Sequence, residues 1–123
     1  MTLQDLNIHD NIAAVGSVRG MVTATNVIAT HNVILDPLSS GPPGSDVAVL
    51  TYRLIGTGLQ VTDNVGWGIV TLALRLTDSV VTGNDGGGQG FDLAARPRPR
   101  FVNSTCGKSQ GPRGLPLGVC TGD

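Results

Sequence analysis

One phrase of apolar and polar positions occurs twice between residues 57 and 92. Val61-Thr62-Asp63-Asn64 leads into Gly66, Gly68 and Ile69-Val70. Val81-Thr82-Gly83-Asn84 leads into a Gly-rich run over 86–90 and then Phe91. The second Asn follows the first by 20 residues. A short apolar strand, an Asn and a Gly-bearing corner at this period predict a stacked solenoid.

Extending the phrase along the chain predicts a column of Asn11, Asn32, Asn64, Asn84 and Ser104, at steps of 21, 32, 20 and 20 residues. The long step holds a Pro/Gly/Ser-rich insertion, residues 36–45. Period-2 alternation sets the faces. Three positions before the column stand Ile8, Ala29, Val61, Val81 and Phe101, predicted to stack inward. Two positions before it stand His9, Thr30, Thr62, Thr82 and Val102, predicted to face out. An Asn at the corner tolerates left-handed dihedrals, and its amide can bond the equivalent residue above and below. Further strands after Gly corners are predicted at 21–25, 46–52, 69–74 and 91–94, with a short third piece at 74–76.

Composition supports β structure. The 123 residues include 18 Gly, 7 Pro and nine acidic residues, all Asp, with Lys108 as the only Lys. Asp and Gly favour turns, whereas Glu and Lys favour helices. A net charge of −1 provides no global field for nucleic acid. The cations are uneven, because Arg96, Arg98, Arg100, Lys108 and Arg113 crowd the last part of the chain. That crowding reads as a solvated edge or an anion-binding patch. No run of apolar residues is long enough to span a bilayer, and residues 1–20 show no signal-peptide pattern.

The repeated Val-x-x-Asn with its following Gly and Ile resembles the right-handed parallel β-helix repeat proteins, the broad group that includes pectate-lyase-like folds. The expected fold is therefore all-β, a right-handed parallel β-helix of about five coils over residues 1–105. Residues 106–123 would form a C-terminal capping loop. The segment 103–121 is similar to the closing segment of secreted bacterial members. Cys106 and Cys120 read as a disulfide across this loop, which points to an extracellular or surface location. Two free thiols and half of a metal site are the alternatives. No amphipathic capping helix precedes the first coil, so its open end is expected to meet further coils or a second copy.

Candidate chemistry is sparse. The stretch Gly87-Gly88-Gln89-Gly90-Phe91-Asp92-Leu93-Ala94 matches the start of a calcium-binding nonapeptide, with Asp92 as a ligand, or is simply a Gly-rich corner. Asp63, Asp78, Asp85 and Asp92 would gather on one flank if the coils stack. Carboxylate pairs serve glycoside hydrolysis or calcium-dependent polysaccharide lysis. The resemblance implies a basic residue for a lyase, and Arg75 is the candidate. Against this, no His-Gly, Asn-x-Asp, Asp-Asp or Arg-x-Lys hallmark occurs. His9 and His31 fall in adjacent alignment columns, as a metal or acid–base pair or as exposed turn residues. Trp67, expected at an exposed corner, and Tyr52 are candidate sugar platforms. The reading favoured is a non-catalytic structural or carbohydrate-binding module with a polysaccharide partner. The alternative is a polysaccharide lyase or glycoside hydrolase.

Overall fold

A computed structural model of the chain describes residues 1–9, 17–32, 47–84, 91–96, 99–111 and 115–123. Asn11, the insertion 36–45, Asp85, Gly87 to Gly90, Arg98, Arg113 and the side chain of His9 lie outside the described residues. The strands are β1 (Thr2–His9), β2 (Ser17–Thr30), β3 (Val47–Thr57), β4 (Gln60–Thr62), β5 (Trp67–Thr77), β6 (Val80–Thr82), β7 (Leu93–Ala95), β8 (Arg100–Val102), β9 (Thr105–Cys106) and β10 (Ser109–Gln110). No helix occurs among the described residues. Every recorded strand pairing is parallel. The sheet follows the order β10-β7-β5-β3-β2-β4-β6-β9 and curls nearly closed into a solenoid. Among the described strands, β1 pairs only with β2, so its other edge is open.

Register gives the side-chain columns. Ile8, Ala29, Val61, Val81 and Cys106 stand over one another. A second column holds Leu3, Ala24, Gly56, Leu76 and Phe101. A third holds Val22, Leu54 and Leu74. Ala29, Val61, Val81, Leu54 and Leu76 are almost wholly buried. Each buried Leu or Val side chain contributes roughly 1.5–3 kcal/mol through lost apolar hydration. Outside, Thr25, Thr57, Thr77 and Val102 form one row, and Thr30, Thr62 and Thr82 another.

Two kinds of corner shape each winding. At one, Asp5, Asn26, Gly58, Asp78 and Asn103 take left-handed dihedrals, φ 48–64°. At the other, His31, Asp63 and Gly83 do so, with φ of 54°, 56° and 71°. Asn, Asp, His and Gly are the residues that enter this region at least cost. The left-handed residue is the one before the ladder Asn, which corrects the expectation that the Asn itself would adopt it. Reversing the backbone one step early turns the next side chain, the ladder Asn, into the interior.

The second corner carries the Asn column. Asn64 Nδ2 donates to Ala29 O at 2.9 Å and to Asn84 Oδ1 at 2.7 Å. Asn64 Oδ1 accepts from Asn32 N and Asn32 Nδ2, both at 3.0 Å. Asn84 Nδ2 donates to Val61 O at 2.8 Å and to Asp92 Oδ1 at 2.9 Å. All three Asn side chains are buried.

The last position of the column differs from the sequence expectation. Asp92, not Ser104, receives Asn84, and Cys106, not Phe101, stacks on Val81. Asn103-Ser104 belongs to the other corner. Phe101 lies over Leu76, Asn103 Nδ2 donates to Asp78 Oδ1 at 3.2 Å, and Ser79 N donates to Ser104 Oγ at 3.1 Å. Asn103-Ser104 is the successor of Asp78-Ser79, and the two corners share the pattern of a polar left-handed residue followed by an inward one. The predicted strands at 69–74 and 74–76 are also one continuous strand, β5, whose alternation breaks at the exposed pair Leu72-Ala73.

Gly68 shows how tightly the Asn corner is packed. A β-carbon there would overlap the Asp92 carbonyl oxygen and sit 2.9 Å from Asn84 Nδ2. One obstacle is backbone and the other is a hydrogen-bonded amide, so neither yields cheaply. Gly68→Ala is expected to destabilise the fold by about 2 kcal/mol through forced backbone displacement. Chemical denaturation would read this as a lowered midpoint.

Candidate functional site: an arginine-lined groove

The outer face of β3 and β5 bears an open groove of about 430 Å³, lined by Arg53, Leu54, Leu72, Ala73, Leu74, Arg75, Arg96 and Arg100. Strand register builds it. Arg53 lies beside Ala73, and Arg75 lies beside Arg100. Arg96 arrives from the segment joining β7 to β8. All four Arg are exposed, while Leu54 and Leu74 are buried beneath. Among the described residues no carboxylate lines the groove. Like charges directly opposite on neighbouring strands are destabilising, so the Arg75–Arg100 pairing costs the fold something.

The bend next to the groove exposes apolar groups. Register on either side, Thr51 with Thr71 and Arg53 with Ala73, places Tyr52 beside Leu72. Tyr52 is 58% exposed and Leu72 43%. Met21, in register with Arg53, extends the ridge. Trp67 is not the exposed corner residue expected. Its ring is half-buried and meets Phe91 edge-on at 5.5 Å, and its Nε1 has no hydrogen-bond partner among the described residues. Two flanking Gly leave room for neighbouring chain to close over the indole, which is why the sequence context misled.

The acidic candidates do not converge on Arg75. Asp63 occupies the corner stacked against Gly83, and Asp78 occupies the other corner, accepting from Asn103. Asp92 is buried, with its oxygens turned to protein donors. Oδ1 accepts from Asn84 N at 2.8 Å, and Oδ2 accepts from Lys108 N at 2.8 Å. These bonds replace the outward-facing carboxylate that a calcium ligand would need. His31 is exposed at its corner. No group of three His, Cys, Asp or Glu with metal-holding geometry occurs among the described residues.

The groove was missed in the sequence because its arginines come from three separate strands and a connection. The only visible hint was the crowding of cations after residue 95. No helix of the described residues is long and apolar enough to cross a membrane.

The chain matches no protein-family model, no curated protein and no solved structure. Its function must therefore be argued from the groove and the ridge.

Proposed function

We propose that this chain is a non-catalytic β-solenoid module, a short right-handed parallel β-helix of about five coils, that is secreted or surface-displayed and binds carbohydrate along the face bearing Tyr52. Its likeness to the right-handed parallel β-helix repeat proteins belongs to the same proposal. The Cys106–Cys120 disulfide supports an oxidising compartment.

The observation that carries the binding role is the pairing of an exposed aromatic ridge with an open cationic groove that no described carboxylate enters. Glycoside hydrolysis needs two carboxyl groups flanking the scissile bond, and a calcium-dependent lyase needs carboxylates to hold its metal. Asp63 and Asp78 instead sit at the two corners of the winding, away from the lining of the groove. The features present suit recognition. A Tyr ring offers a flat apolar face with a polar tip, and guanidinium groups donate planar pairs of hydrogen bonds.

A glycan array probed with the full chain tests this reading. Binding to a defined set of glycans is expected. Tyr52→Ala should weaken it about tenfold, the equivalent of one aromatic contact, while Trp67→Phe should leave it unchanged. An empty array, or equal binding by Tyr52→Ala, would remove the proposal.

A further inference from the structure

We infer that the groove between Arg75, Arg96 and Arg100 is a site for a compact tetrahedral oxyanion, a sulfate or phosphate group carried on a ligand. The inference deepens the carbohydrate-binding reading by naming the substituent the sugar would carry, and it rests on that reading only for the body of the ligand.

The placement of charge leads to this ligand. The whole chain has a net charge of −1, so the groove is a local concentration rather than part of a basic surface. Arg75 and Arg100 are direct register partners on one outward face. Arg96, four residues before Arg100 in sequence, lines the same groove from the preceding connection. Three guanidinium groups converging on one pocket match a group that carries a charge of roughly −1.5 to −2 on three oxygens, as a phosphate monoester does. A single carboxylate neutralises one of them and has two oxygens to share. An anion would also relieve the repulsion between the facing arginines, which the fold otherwise bears. The groove floor adds a second requirement. Leu72, Ala73 and Leu74 offer no hydrogen-bonding side chain, so the polar recognition falls on the arginine rim and the floor takes the less polar face of the ligand body.

Isothermal titration of the full chain at fixed ionic strength tests the assignment, with inorganic pyrophosphate, sodium sulfate and sodium galacturonate as probes. Pyrophosphate is expected to bind saturably and at least tenfold more tightly than galacturonate. Arg75→Gln and Arg100→Gln should each weaken pyrophosphate at least tenfold, and their thermal midpoints should equal or exceed that of the parent because a like-charge contact is gone. Tyr52→Ala should leave pyrophosphate binding unchanged, which separates this site from the ridge. Sulfate binding comparable to pyrophosphate assigns the group to sulfate esters, and pyrophosphate binding alone assigns it to phosphates. The inference is overturned if pyrophosphate shows no saturable binding, if galacturonate binds equally well, or if the two Gln variants bind as the parent does. A glycan array positive only for uncharged sugars would overturn it while leaving the carbohydrate-binding reading intact.

Discussion

Asn64→Ala should lower the unfolding free energy by about 4 kcal/mol, a large share of the roughly 5–15 kcal/mol that holds a domain of ordinary size. Asn64 is the middle of the three-residue Asn column, so its truncation is felt on both sides. The backbone N–H of Asn32 loses the acceptor it meets at 3.0 Å, and the Ala29 carbonyl loses the donor it meets at 2.9 Å. Asn84 Oδ1 loses its shortest contact, 2.7 Å. These partners sit among buried groups, where each polar atom left unpaired costs about 1–3 kcal/mol. The shape of the residue is secondary to its chemistry. Asn64→Asp keeps the shape but turns an acceptor toward Ala29 O and Asn84 Oδ1, so at neutral pH it should be at least as harmful as Ala. Asn103→Gly is the control. It keeps a residue suited to left-handed dihedrals at an exposed corner, and its effect should stay within about 0.5 kcal/mol. Urea unfolding separates the cases through the midpoint at constant slope. A midpoint for Asn64→Ala close to that of Asn103→Gly would show that the column does not hold the windings together.

The Asn column was legible because its chemistry is periodic. Asn32, Asn64 and Asn84 each follow a strand of the same alternation, and a stacked amide needs the same residue type in every winding. The successor of Asn84 was not legible for the same reason. Asp92 supplies an equivalent acceptor after only 8 residues, outside the period, because a carboxylate oxygen reaches Asn84 from the following strand. Asn103-Ser104 mimicked the column because both corners use a polar left-handed residue before an inward one. Only the register of Phe101 on Leu76 separates them. The groove lay further out of reach. Arg75 and Arg100 become neighbours through strand pairing across 25 residues, and no local pattern marks which outward positions of two distant strands will face each other.

Cutting the Cys106–Cys120 link should cost about 3 kcal/mol, the loop-closure entropy of a segment near 15 residues. Cys120→Ser is the informative variant. Cys106 is buried in the column above Val81, so keeping it leaves that column filled. The tail has a second attachment that the variant spares. Thr121 N donates to Cys106 O at 3.0 Å and Gly122 N to Gly107 O at 2.7 Å. The Asp123 carboxylate accepts from Ser109 N and Ser109 Oγ at 2.6 Å, and from Val119 N and Cys120 N at 2.9 Å. Burial on its own would raise the Asp123 pKa. The hydrogen bonds from Ser109, Cys120 and Val119 outweigh it and hold the group below the usual 3.8. A carboxylate with a depressed folded-state pKa stabilises fully above its unfolded value, and that contribution disappears as pH falls through the folded one. The Cys120→Ser chain should therefore be only moderately weakened at neutral pH and should lose further stability below about pH 4. In Cys120→Ser combined with Asp123→Asn, the carboxylate clamp is already gone, so its share of the acid-dependent loss should vanish while neutral stability drops further. Thermal melts of the three chains between about pH 2 and pH 7 read both effects. Identical acid profiles with and without Asp123 would mean that this carboxylate does not clamp the tail, leaving the disulfide and the backbone bonds at Cys106 and Gly107 to hold it.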